Sequence, residues 1–160
     1  MPQKTRQSRR DVLKMAGAFA GCGGLTLLAV RPAAATPAMM QEAVRNAIGE
    51  ATVNKGKVKL DLPPIVENGN SVPCTVSVDS AMTANDYVKA IHIFNEKNPQ
   101  PNVISVRLSP RAGRAAFSTR IRLADSQTVT AMAELSDGTF WSGDIDVIVT
   151  LAACIEEVKP

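Results

Sequence analysis

The chain has 160 residues, a formal net charge of +3 and a pI near 8.9. In the first 35 residues Lys4, Arg6, Arg9, Arg10, Lys14 and Arg31 against Asp11 leave +5, so the other 125 carry −2. A basic body is excluded, and with it a nucleic-acid or anionic-membrane partner. With 4% aromatic, 45% hydrophobic and 21% charged residues, the body reads as one soluble domain built on small aliphatic side chains.

Residues 1–35 read as a twin-arginine signal peptide. Arg9-Arg10 precede a weakly apolar run, Met15 to Val30, and Ala33-Ala34-Ala35 offers an A-x-A cleavage site. That run is short and rich in Gly and Ala, which disfavours a membrane span. An uncleaved anchor and lipidation at Cys22, in Phe19-Ala20-Gly21-Cys22, are the alternatives. Export by this route implies a periplasmic protein that folds, or pairs with a leaderless partner, before crossing the membrane.

Thr36-Pro37 followed by Met39, Met40, Ala43, Val44 and Ile48 predicts a short helix with Thr as N-cap and Gly49 as its end. Beyond it the period is two. Lys57 to Leu62 alternates, as does Val72, Cys74, Val76 and Val78. Tyr87 to Phe94 is apolar on both faces, with Val88, Ala90, His92 and Phe94 on one, and predicts an interior strand. Ile104 to Leu108, Phe117 to Leu123 and Val129 to Leu135 follow. Asp137-Gly138 signals a hairpin, and Ile145 to Leu151 predicts the last strand. Short strands separated by turns, without alternating helices, predict an all-β antiparallel sandwich with Greek-key connections, preceded by a short N-terminal helix. The domain spans 36–151, and 152–160 form a carboxy-terminal arm.

Little in this sequence supports catalysis. His92, the only histidine, lies among apolar residues and reads as a buried structural imidazole; one His with two separated Cys makes no metal site, and no cofactor motif is present. Asp144 and Asp146 read as a solvated strand face. Arg120 and Arg122 share a strand face that is either solvated or turned to an acidic partner or an anion.

The cysteines carry more information. Cys74 is in phase with buried valines and reads as a small core residue. Cys154 lies three residues past Leu151 and six from the end of the chain, where a thiol can be presented to another protein. Three readings stay open: a disulfide with Cys74, an intermolecular disulfide, or a thiolate that carries a covalently bound group. With Glu156 and Glu157 close by and Lys159 partly opposing them, strong self-activation of the thiolate is not expected.

Several segments together resemble the SoxY family, the sulfur-carrying subunits of the periplasmic thiosulfate-oxidising system. They are Glu67-Asn68-Gly69-Asn70-Ser71-Val72-Pro73, Lys97-Asn98-Pro99-Gln100-Pro101, Thr119-Arg120-Ile121-Arg122-Leu123-Ala124 and Glu134-Leu135-Ser136-Asp137-Gly138, together with the leader type. The resemblance implies an immunoglobulin-like sandwich and a heterodimer with a leaderless SoxZ-like subunit. It also implies a non-enzymatic role with Cys154 as the covalent attachment point for substrate sulfur, served by SoxXA-, SoxB- and SoxCD-type enzymes. The alternative is a SoxY-related scaffold module, or a carrier of a different thiol-linked sulfur species. One departure stands out: the family arm is glycine-rich around its cysteine, whereas here Ala152, Ala153 and Ile155 flank Cys154. That makes a stiffer arm.

Overall fold

The computed structural model describes residues 36–151. The leader with Cys22 and the arm with Cys154 lie outside the described residues.

Helix α1, Pro37–Ile48, begins where Thr36 Oγ1 accepts the amide of Met39 at 3.4 Å, with Pro at the first turn. Gly49 ends it at φ +69°, a left-handed conformation that costs glycine little. Met40, Ala43, Val44, Ala47 and Ile48 form one half-buried stripe, as the helical spacing requires. This stripe side of the helix packs on strands β5 and β6.

The strands are β1 Val53–Lys55, β2 Val58–Asp61, β3 Ile65–Val66, β4 Val72–Val78, β5 Val88–Asn95, β6 Asn102–Arg107, β7 Ala116–Ile121, β8 Gln127–Leu135 and β9 Phe140–Val149. A sheet ordered β2-β4-β7 faces one ordered β1-β9-β8-β5-β6, with β3 also on β9. The expected sandwich is therefore present. Its main pairs are antiparallel, and the short strands β1 and β3 add parallel pairs along β9. Connections from β4 to β5, β6 to β7 and β7 to β8 cross between the sheets, which places consecutive strands on opposite walls of one core.

That core is aliphatic. Val72, Cys74 and Val76 from β4 meet Ile91, Ile93, Val129 and Ala131 from the larger sheet, each at most 1% exposed. Each fully buried Val or Ile contributes about 1.5–3 kcal/mol. Small residues let the sheets close tightly: a Cβ on Gly143 of β9 would stand 2.3 Å from the carbonyl oxygen of Val58 in β2. The low aromatic content and the tight packing are thus one property.

Two strand readings are corrected here. The β5–β8 register shifts between Val88 and Ala90, so Lys89 is a bulge. Val88 consequently joins Ile91 and Ile93 in the core, while Ala90, His92 and Phe94 lie on the opposite face of the sheet, the one α1 covers, where Ala90 and Phe94 are buried and His92 half-buried. The last strand starts at Phe140 rather than Ile145 and ends at Val149, before Leu151. Its first half was hidden because Gly143, where an inward apolar side chain would fall, sits under β2. The hairpin at Asp137-Gly138 forms as its residues require: Gly138 takes φ +83° and Asp137 Oδ1 accepts the Thr139 amide at 2.8 Å and its hydroxyl at 2.7 Å.

Candidate functional site at the root of the carboxy-terminal arm

The end of β9 is braced by strand β3 and by two loops, β3–β4 and β7–β8. Val149 N–H donates to Ser126 Oγ at 2.9 Å, Thr150 N–H to the carbonyl of Val66 at 2.9 Å, and Thr150 Oγ1 to that of Glu67 at 3.1 Å. Gly69 N–H then donates to the carbonyl of Leu151 at 2.9 Å, while the Gly69 carbonyl accepts Leu123 N–H at 2.9 Å. Leu151 itself is 56% exposed, so the last described residue is both held by hydrogen bonds and open to solvent.

The same pole is tied together by one amide side chain. Asn98 Nδ2 donates to the carbonyl of Arg122 at 2.7 Å, and its Oδ1 accepts Ala124 N–H at 2.9 Å and Gln127 Nε2 at 3.1 Å. Gln127 Oε1 in turn accepts Lys97 N–H at 2.9 Å. Both amides are buried, where such satisfied networks fix one arrangement. Arg120 Nη1 donates to the carbonyl and hydroxyl of Ser71 at 3.2 Å each. Three of the four segments that carry the family resemblance therefore converge here, at the arm's exit. The fourth builds the β8–β9 hairpin.

Of the residues singled out by sequence, Cys154 falls outside the described residues and Cys74 is in the core, 1% exposed and free. Burial, reinforced by the nearby Asp61 charge, pushes the Cys74 thiol up to about 11, so it is a poor nucleophile. Pairing it with Cys154 would require the sandwich to open. Arg120 and Arg122 are exposed, but they part company: Arg120 is held on Ser71, whereas Arg122 lies beyond the end of β7 and lines a separate cleft.

His92 is half-buried rather than buried, with Nδ1 2.8 Å from Ser105 Oγ on the edge strand β6. Burial lowers its pKa from the ordinary 6.5, with Glu134 opposing and Arg107 assisting. Asp144 and Asp146 are on an exposed face as expected; Asp144 pairs with Lys55, and Asp146 Oδ1 accepts Thr128 Oγ1 at 2.7 Å. Among the described residues no three His, Cys, Asp or Glu side chains gather where a metal could be held, and no helix is long and apolar enough to cross a membrane. A cavity of about 550 Å³ lies under α1, and none of its walls belongs to the segments that hold Leu151.

Asn98, Gln127, Gly69 and Leu151 escaped the sequence reading as parts of the site. Asn98 and Gly69 lie in the resemblance segments and Gln127 and Leu151 in none, and nothing in a linear sequence says that these parts of the chain meet.

A two-layer, immunoglobulin-like sandwich with a chain end braced at one pole defines the class. The family model for sulfur oxidation protein SoxY matches residues 44–154, and the chain belongs to the SoxY family. The match ends on Cys154. Among solved structures, the sulfur carrier protein SoxY from Chlorobium limicola f thiosulfatophilum superposes with a TM-score of 0.60 at 24% identity, covering 71% of this chain and 98% of that one. A superoxide reductase (neelaredoxin) from Ignicoccus hospitalis follows at 0.52 and 18%, over 72% and 94% of the two chains. One from Nanoarchaeum equitans stands at 0.51 and 8%, over 60% and 100%. At these identities the likeness is one of fold. No curated protein matches the chain.

Proposed function

We propose that the chain is a periplasmic sulfur carrier, exported by the twin-arginine route, that holds thiosulfate-derived sulfur covalently on Cys154. The observation that carries this reading is the position of that residue. The family match runs to Cys154, three residues past a braced and exposed Leu151, while the other cysteine of the body is sealed in the core.

The chemistry asked of the carrier is modest. Joining thiosulfate to the thiol forms one S–S bond, releases the thiol proton and yields two electrons, which a haem protein of the SoxXA type accepts. Hydrolytic release by a SoxB-type enzyme and oxidation by a SoxCD-type enzyme then act on the bound sulfur. The carrier supplies reach and presentation: three residues past Leu151 span about 10 Å at about 3.4 Å each. It needs no acid, base or cofactor of its own. A SoxZ-like subunit completes the heterodimer.

Replacing Cys154 by Ser abolishes thiosulfate-dependent sulfate formation in a strain relying on this chain. A second reading, a SoxY-related scaffold or a carrier of another sulfur species, is favoured by Ala152, Ala153 and Ile155 standing where the family arm has glycine. Unchanged sulfate formation in the Cys154→Ser strain would select the scaffold.

A further inference from the structure

Residues 97–124 carry Lys97, Arg107, Arg111, Arg114, Arg120 and Arg122 and not one carboxylate. Arg122 differs from the others in its setting. It is one wall of a cleft of about 420 Å³ whose remaining lining is Asn98, Pro99, Gln100, Asn102 and Val103. The polar side chains lining this cleft are thus a guanidinium and three amides, of which Asn98 is committed to Arg122, Ala124 and Gln127 and Asn102 Nδ2 also donates to Ser105 Oγ at 3.4 Å. Asp125, a carboxylate at this pole, is engaged by Lys97 at 3.0 Å, and Arg122 forms no ion pair among the described residues. Such a donor set suits a small oxyanion.

One wall of the cleft is linked by hydrogen bonds to Leu151, the last described residue. Leu123, next to Arg122 in the chain, donates to the Gly69 carbonyl at 2.9 Å, and Gly69 donates to the Leu151 carbonyl at 2.9 Å. One residue, Gly69, therefore bridges the backbone beside Arg122 and the carbonyl of Leu151. A cysteine within about 10 Å of Leu151 brings a sulfonate-ended group within range of Arg122.

We propose that this cleft is a docking site for the anionic end of the group carried on Cys154, with Arg122 as its principal contact and the side-chain amides of Gln100 and Asn102 as supporting donors. This rests on the carrier reading and adds to it a place where the loaded arm settles between visits to its enzymes. Docking sets the lifetime of the conjugate, because it withdraws the S–S bond from reductants in the surroundings. A neutral adduct gains nothing from the site.

The test uses the mature full-length chain. Its thiolate attacks an inner sulfur of tetrathionate, forming the cysteine S-thiosulfonate and releasing thiosulfate, with two sulfurs and three oxygens leaving and no net redox change. A control loaded with methyl methanethiosulfonate carries a neutral S-methylthio group and releases methanesulfinate. Cys74, being buried, stays unmodified, which intact mass confirms. The side-chain resonances of Arg122, Gln100 and Asn102 shift with the thiosulfonate and stay in place with the neutral group. Arg122→Gln raises the rate at which dithiothreitol strips the thiosulfonate by about two- to fivefold, an exposed-pair effect that fades at about 1 M salt. Arg122→Lys retains part of the protection. The Arg122 side chain is exposed and its backbone carbonyl, which Asn98 uses, survives substitution, so these variants fold.

Thiosulfonate on Cys154 with unmoved cleft resonances and equal stripping rates overturns the docking site and leaves the carrier reading intact. Cleft shifts in a protein whose Cys154→Ser strain still forms sulfate would instead uphold the site and sink the carrier role.

Discussion

The amide of Gly69 donates to the carbonyl of Leu151 at 2.9 Å, so the loop between β3 and β4 holds the residue from which the arm departs. With Ile148 N–H on Pro64 and Thr150 N–H on Val66, both at 2.9 Å, it extends the grip on the chain two residues beyond β9. Slow hydrogen exchange is expected at the amides of Gly69, Ile148 and Thr150. The exposed Asn68 should exchange about 100-fold faster than Gly69 or more. Equal rates at Asn68 and Gly69 would show an unbraced arm root.

Cys74 should be silent in the native state. Its thiol is buried and raised to about 11, so an aromatic disulfide reagent at pH 8 titrates one thiol in the folded mature chain and two in denaturant. In Cys154→Ser the folded count falls to zero. A native Cys154→Ser protein that reacts within minutes would contradict the packing of β4.

Gly143 and Val58 define where the sheets touch. Because a Cβ at 143 would stand 2.3 Å from a backbone oxygen, Gly143→Ala forces the sheets apart and is expected to cost about 1–3 kcal/mol. Urea denaturation measures it. Gly138→Ala, with nothing within 4 Å of its Cβ but φ +83°, tests the separate cost of turn conformation.

Stability should decline through the mildly acidic range because of His92. Its folded pKa lies below the unfolded 6.5, burial being the main cause, so the unfolded chain binds the proton more readily. Stability is therefore complete above 6.5 and is lost as pH falls toward the folded value. His92→Gln should flatten the melting temperature between about pH 7 and pH 5. Asp125 and Asp137, held below 3.8 chiefly by hydrogen bonds from Lys97 and from the Thr139 amide respectively, act in a lower window, and their contribution falls away as they protonate there. The two declines are separable by that variant.

How far the sequence could be read follows the physics of each element. Strands with clean alternation, such as Val72 to Val78, and the capped helix after Thr36 declare themselves, because burial of one face imposes the period. Three kinds of feature do not. Strands β1 and β3 have three and two residues, too few to show a period. A bulge at Lys89 reverses the phase without changing composition, and Gly143 replaces an apolar residue at the tightest contact. The candidate attachment point, Cys154, is a reading of the sequence that falls outside the described residues, and the support at Leu151 was illegible, since the Asn98 to Arg122 and Gly69 to Leu151 bonds join segments 24 and 82 residues apart.

The carrier role stands or falls on what Cys154 holds in the cell. Intact mass of the mature protein from thiosulfate-grown cells, taken before and after reduction, answers it directly. The account predicts a reducible adduct of sulfur or thiosulfonate mass that maps to Cys154. A mass two hydrogens below the dithiol form with no adduct, the signature of a Cys74 to Cys154 disulfide, would contradict both the carrier role and the buried, free Cys74.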